Sequence, residues 1–121
     1  LVAAAEHVVG RLRRTRAVSI EADEDLDLKR EAILEAIKAC DAGRGVIVLT
    51  DMFGGTPSNL VLSLRSRARM EIVSGANLPM LIKLAQTRDI LSLEESATDA
   101  AEGGRKYITI ASDILAKLPS Y

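Results

Sequence analysis

The sequence predicts an α/β domain of the doubly wound type, in which a mostly parallel four-stranded sheet carries helices on both faces. Segments typical of strands alternate along the chain with segments of helical periodicity. One strand segment, residues 45–50, is an unbroken apolar run, as expected of a strand covered on both faces. A glycine-bearing turn follows it and leads into a helix. No repeat, linker or low-complexity tract divides the chain, so residues 1–121 are interpreted as a single domain.

The composition limits the function. Of 121 residues, 48% are apolar but only 2% are aromatic, so aliphatic side chains must build the core. Sixteen basic and seventeen acidic residues give a net charge of −1, which argues against a nucleic-acid binder that recognises phosphates alone. No apolar stretch is long enough to span a bilayer. Cys40 is the single cysteine and allows no internal disulfide, so the cytoplasm is the expected compartment.

The opening segment predicts a helix, because Leu1, Ala5, Val8, Val9 and Leu12 form one apolar stripe. Ala17 to Ile20 is predicted to be a short strand. In a doubly wound domain the first strand is usually central and comes first in the sequence. We therefore expect a strand and its loop, about ten residues, upstream of Leu1.

The remaining elements follow in order. The acidic cluster from Asp23 to Asp27 suits the amino end of a second helix, and Gly43 suits its carboxyl end. Glycine pairs or prolines mark the later boundaries. The predicted elements are a helix from Leu26 to Cys40, a strand over 45–50, a helix over 57–64, a strand over 70–74, helices over 78–85 and 93–102 with a stop at Gly103-Gly104, a strand over 107–111, and a short helix or arm over 112–118.

Residues 50–59 form the segment with the clearest chemistry. Asp51 comes at the carboxyl end of a predicted strand, where open α/β sheets bind ligands. Gly54 and Gly55 allow close backbone approach, while Thr56 as N-cap and Pro57 as first helical residue would direct free N–H groups at an anion. Because a carboxylate repels phosphate, a third group such as histidine is required between them. An ordinary strand–turn–helix connection remains the alternative.

Two motifs, Thr50 to Asn59 and Val73 to Leu81, resemble the mannose/fructose-type IIA component of the bacterial phosphotransferase system, and the likeness extends to Glu6-His7-Val8-Val9-Gly10. The resemblance implies a phosphoryl carrier that accepts a phosphoryl group from the phosphohistidine protein HPr and passes it to a IIB partner. The acceptor histidine of that family lies in a Thr-His-Gly turn after the first strand. Residues 1–121 would then be a IIA-type domain without that strand and loop, and inactive alone.

The resemblance also implies residue roles. Asp51 would orient the acceptor imidazole, while Gly54, Gly55 and Thr56 would bind the phosphoryl group. Gly75 and Asn77 would belong to a second active-site loop. The family further implies a homodimer in which an edge strand, here Tyr107 to Ala111, packs antiparallel on the partner's sheet. The membrane components IIC and IID would be indirect partners, and neither a metal nor a cofactor is expected.

Four further interpretations accompany the resemblance. His7 lies away from the apolar stripe of the first helix, so we expect it to face solvent rather than to replace the acceptor. Cys40 shares a helix face with Ile33 and Ile37, which predicts a core residue rather than a reactive thiol. A regulatory binding module of the same fold, and a phosphotransfer subunit of dihydroxyacetone kinase, remain alternative functions.

Overall fold

The computed structural model describes residues 1–119. Its two strands pair in parallel, with Val46 opposite Met70 and Thr50 opposite Ser74. The elements in this part of the chain are α1 (Val2–Val9), α2 (Leu26–Cys40), β1 (Val46–Thr50), α3 (Thr56–Leu62), β2 (Met70–Ser74), α4 (Leu78–Thr87), α5 (Leu93–Lys106) and α6 (Ala111–Ala116).

The main core lies where α2 and α3 pack against one side of the strands. Alternate strand residues, Val46 and Val48 of β1 with Met70 and Ile72 of β2, pack against this cluster, as the two-residue period of a strand requires. Elsewhere α5 contacts both strands, α4 packs on α5, and α1 packs on α4. The buried cluster consists of Ile33, Leu34, Ile37, Leu60, Val61 and Leu64.

Side-chain caps fix the starts of two helices. Asp25 is the N-cap of α2, and its Oδ1 accepts hydrogen bonds from the backbone N–H groups of Asp27 at 2.9 Å and Leu28 at 3.4 Å. Ser92 and Glu95 form a capping box at the start of α5. These contacts satisfy N–H groups that have no partner inside a helix. The acidic cluster therefore begins α2 as the sequence predicts.

Two predicted strands do not form. Residues 17–20 are irregular, and after α5 ends at Lys106 the chain is irregular until α6 begins at Ala111. A strand is stable only when its backbone pairs with a neighbour, and neither segment has one within residues 1–119. The described part of the chain thus pairs two strands in parallel, whereas the predicted sheet also included a strand upstream of Leu1 and an antiparallel edge strand paired with a partner copy. β1 pairs with a neighbour along one edge only. Its residues are half-buried except Thr50, so β1 is not covered on both faces as predicted.

Two details of helix packing also differ from expectation. Leu1 and Val8, assigned to the apolar stripe, are 62% and 61% exposed, because α1 turns Ala5 rather than these side chains toward α4. Small Ala5, fully buried, allows the close approach of the two helices. Gly103 and Gly104 do not stop α5, which continues to Lys106 with both glycines buried. Within the described residues, no helix combines the length and the apolar character needed to cross a bilayer.

Candidate functional site

Two loops meet at the carboxyl edge of the sheet. Because β1 and β2 are parallel and in register, the residues after Thr50 and Ser74 emerge side by side. The hydroxyl groups of Thr50 and Ser74 are 2.9 Å apart, and Ala76 N–H donates to the carbonyl of Thr50 at 2.9 Å. The structure therefore brings the Asp51 loop and the Gly75 loop side by side at this edge.

Asp51 is exposed at the start of the first loop. Its Oδ1 accepts a hydrogen bond from the backbone N–H of Met52 at 2.8 Å, which orients the carboxylate. Oδ2 receives no hydrogen bond from residues 1–119, so this oxygen is free to accept an N–H from a ring placed above it.

The glycine turn has a backbone conformation that residues with a side chain rarely adopt. Gly54 has φ +90°, a left-handed value that glycine adopts without strain, and no atom lies within 4 Å of where its Cβ would be. Gly55, not Thr56 as predicted, is the N-cap of α3, because Asn59 N–H already donates to the Gly55 carbonyl at 2.9 Å. Thr56 is the first helical residue, and it is exposed and makes no capping hydrogen bond.

The second loop is bound to the end of α5. Gly75 is exposed with φ +84°. Asn77 is the N-cap of α4: its Oδ1 accepts the N–H of Met80 at 3.1 Å, and its Nδ2 donates to the carbonyl of Gly104 at 3.1 Å. Both ends of this amide are engaged, so Asn77 contributes by fixing the loop's position.

A cavity of about 640 Å³ lies beside the unpaired edge of β1. Leu1 and Val2 at the start of α1 line it together with Asp51, so the carboxylate and the start of the first helix open onto the same space. Its walls are largely aliphatic, and they include Ile33, Ile37, Val48, Leu49, Leu81 and Leu84.

The remaining candidates lie outside this site. His7 is exposed and lines neither of the two large cavities, in agreement with the prediction that it faces solvent. Cys40 is half-buried at the wall of the β1 cavity, so the prediction of a core position holds in part. No cluster of three potential metal ligands occurs within residues 1–119.

Two features of the site were not predicted from the sequence. Met52 and Phe53, beside Asp51, are 65% and 70% exposed, an unusual position for two large apolar side chains and a surface that a partner protein can cover. Their exposure could have been predicted from their position between the end of a strand and a pair of glycines. Gly104, whose carbonyl holds the second loop, gave no signal because its neighbours are distant in sequence.

Comparisons with known proteins agree with this architecture. A family model described as the fructose IIA component of the phosphotransferase system matches residues 1–101. The fructose-specific EIIA component of Bacillus subtilis strain 168 is 28% identical over 103 residues, which cover 84% of this chain and 70% of that protein.

Solved structures show the same fold. The mannose/sorbose-specific IIA subunit of Enterococcus faecalis superposes with a TM-score of 0.80 at 25% identity, covering 99% of this chain and 86% of that one. The EIIA component from Streptococcus agalactiae superposes with a TM-score of 0.82 at 21% identity, covering 92% and 86%. Since the family match spans residues 1–101 and includes both loops of the site, the chain belongs to the mannose/fructose family of IIA components of the sugar phosphotransferase system.

Proposed function

We propose that the protein is a phosphoryl carrier that receives a phosphoryl group from HPr on a histidine outside residues 1–121 and transfers it to a IIB partner in the cytoplasm. The observation that carries this proposal is the carboxylate of Asp51, with one oxygen free, beside a glycine turn at the carboxyl edge of a parallel sheet. This is the edge at which open α/β sheets bind their ligands.

The cavity beside β1 supports a strand as the carrier of that histidine. The unpaired edge of β1 offers five residues of backbone, about 16 Å of extended chain. A strand upstream of Leu1 that paired with this edge in parallel would end beside Asp51, and a short turn would lead to the start of α1 at Leu1. Histidine at that turn would place its ring above the free oxygen.

In the proposed reaction, Oδ2 of Asp51 accepts the N–H of one ring nitrogen and leaves the other nitrogen with its lone pair toward the donor. That nitrogen forms a bond to phosphorus while the bond between phosphorus and the donor imidazole of HPr breaks. The free backbone N–H groups of Thr56 and Ser58 stabilise the negative charge on the transferred group, since Pro57 between them has none. Positioning and electrostatics therefore supply the catalysis.

A homodimer is part of the proposal. Tyr107, Ile108 and Ile110 are 62%, 73% and 65% exposed, and the second edge of β2 borders a cavity of about 500 Å³. In a dimer, the exposed apolar segment of one copy can pair with the unpaired strand edge of the other copy. Sedimentation at micromolar concentration tests this, and a monomeric mass contradicts it. Contacts with the membrane components IIC and IID follow through the IIB partner.

Incubating the full-length protein with phosphorylated HPr tests the transfer. We expect acid-labile label on a histidine, and Asp51→Asn lowers the transfer rate about tenfold or more, because an amide can hold the wrong ring tautomer. Asp23→Asn, at another exposed carboxylate, serves as the control and retains the rate. Absence of any labelled histidine would instead favour a regulatory binding module, and an unchanged rate in Asp51→Asn would remove Asp51 from the mechanism.

A further inference from the structure

Four arginines occur within six residues immediately after α1, at positions 11, 13, 14 and 16. All four are exposed, and this segment forms neither helix nor strand. A chain with a net charge of −1 therefore concentrates positive charge in one short surface segment. The proposed phosphoryl transfer makes no use of it.

The segment is held in a defined position by α4. Arg88, at the C-cap of α4, donates from Nη1 to the carbonyl of Arg13 at 2.8 Å and from Nη2 to the carbonyl of Arg14 at 3.3 Å. The same guanidinium reaches the hydroxyl of Thr15 at 3.2 Å. Arg14 has φ +48°, and it is the one non-glycine residue with positive φ in the described part of the chain. A bulky residue in this conformation requires such fixed contacts.

Arg44 adds a further charge to the same surface. Its guanidinium donates to the carbonyls of Asp89 at 3.2 Å and Leu91 at 2.7 Å, the first and third residues after Arg88. We call the resulting surface the arginine platform, formed by Arg11, Arg13, Arg14, Arg16, Arg44 and Arg88.

The positive charge of the platform is not neutralised by ion pairs. Within residues 1–119, no carboxylate lies within 4.0 Å of its guanidinium groups, although Glu6 and Asp89 are close in the chain and Glu6 accepts the N–H of Leu12. By contrast, Arg67 pairs with Glu31 at 2.8 Å and Arg69 with Glu94 at 3.7 Å. The platform thus keeps its attraction for an external anion.

Exposed apolar side chains accompany these charges. Val8 ends α1 with 61% exposure, and Ile90 follows Arg88 with 78%. Arginines interspersed with single apolar side chains are typical of surfaces that lie on anionic membranes, where guanidinium groups meet lipid phosphates and apolar tips enter the interface. A fluid headgroup layer needs no fixed complementary groove.

Arg14, Arg16, Arg44 and Arg88 line the long cavity beside β1, and Asp51 lines it near the other end of the strand. Arg44 precedes the amino end of β1, whereas Asp51 follows its carboxyl end five residues of strand later. A surface bound at the amino end therefore leaves the carboxyl edge open to other proteins.

We propose that the arginine platform binds the surface of membranes rich in anionic phospholipid. The proposal does not depend on phosphoryl transfer, because it rests on charge and exposure at the opposite end of the strands. Binding is electrostatic and reversible, so it weakens as salt is added.

Co-sedimentation of the protein with vesicles tests the proposal. Binding is expected for vesicles of phosphatidylcholine mixed with phosphatidylglycerol, and not for phosphatidylcholine alone. The triple variant Arg11→Gln, Arg13→Gln, Arg16→Gln removes three charges but leaves the strained Arg14 in place, and roughly a hundredfold loss of partitioning is expected. The control variant Arg65→Gln, Arg67→Gln, Arg69→Gln has the same change in net charge and retains binding. Circular dichroism of both variants establishes that they are folded.

Three outcomes overturn the proposal: no binding to the anionic vesicles, equal binding to phosphatidylcholine alone, or equal losses in the two triple variants. A fourth outcome would identify an acidic polypeptide as the ligand and would also overturn the proposal. If a fluorescent polyglutamate peptide binds the platform and the vesicles do not, the partner is a polypeptide rather than a lipid surface.

Discussion

The side-chain amide of Asn77 donates to the backbone carbonyl of Gly104 at 3.1 Å, which joins the amino end of α4 to the carboxyl end of α5. The same side chain caps α4, so one residue positions the second loop against both helices. Gly104 permits this contact, because a Cβ at that position would lie 2.7 Å from Met80 Cε and Cγ and 3.3 Å from Asn77 Oδ1.

Gly104→Ala should therefore destabilise the protein by about 1–3 kcal/mol, the usual effect of forcing a methyl group into a packed interface. Gly103→Ala is the matched control, because its Cβ would meet Lys83 side-chain carbons at 3.5 Å and 3.6 Å, an ordinary contact. Alanine also favours the helix by about 1 kcal/mol, so this variant should be neutral or stabilised. Urea unfolding midpoints give both values, and equal midpoints would contradict the packing argument.

The sequence was sufficient to predict that Asp51 lies at the carboxyl edge of the sheet, because Asp51 follows an apolar strand segment and parallel strands share that edge. The assignment of Gly75 and Asn77 to a second loop came from the family resemblance instead. The contact between Asn77 and Gly104 was not predictable, because 27 residues separate the partners and nothing local marks it. The glycine pair at 103–104 suggested a helix end, whereas the structure uses it for close packing of α5.

Strand formation was likewise not predictable from local sequence alone. Residues 17–20 and 107–111 have the composition of strands, but a strand depends on a neighbour that local sequence does not specify. The side chains of Tyr107 and Ile108 are exposed, as expected of a segment that has no neighbouring strand within one molecule.

Ser58 is fully buried in α3, and its hydroxyl has no hydrogen-bond partner. Burying an unpaired hydroxyl costs about 1–3 kcal/mol, so Ser58→Ala should stabilise the protein by about 1 kcal/mol. Ser74→Ala should have the opposite sign, because it leaves the buried hydroxyl of Thr50 without its partner at 2.9 Å. Thermal unfolding measures both. A loss of stability in Ser58→Ala would mean that the hydroxyl is paired in solution.

The ion pair of Glu31 with Arg67 should make stability depend on acidity. The hydrogen bond from Arg67, and then its charge, hold the pKa of Glu31 below its ordinary value of 4.5. A lowered pKa in the folded state adds stability above the unfolded value, and that stability is lost as pH falls through the folded pKa. Both side chains are about half exposed, so the effect is small.

Urea midpoints of the wild type and Glu31→Gln should therefore differ slightly at neutral pH and converge below pH 4.5, the ordinary value of this carboxyl. Glu102→Gln, at an exposed residue outside the ion pairs, should show no such convergence. A difference that grows in acid would contradict the assignment.

Alanine substitutions at Gly54 and Gly55 should distinguish an effect on folding stability from an effect on phosphoryl binding. Gly54→Ala places a side chain at φ +90° and should cost about 1–2 kcal/mol in stability. Gly55→Ala has φ −79° and ordinary contacts, 3.7 Å to the Met52 carbonyl oxygen and 3.8 Å to Pro57 Cδ, so its cost should stay below about 1 kcal/mol. If the phosphoryl group approaches the backbone at the N-cap, the added methyl group should slow transfer from HPr in Gly55→Ala although the protein remains folded. Transfer at the wild-type rate in that variant would place the phosphoryl group elsewhere on the turn.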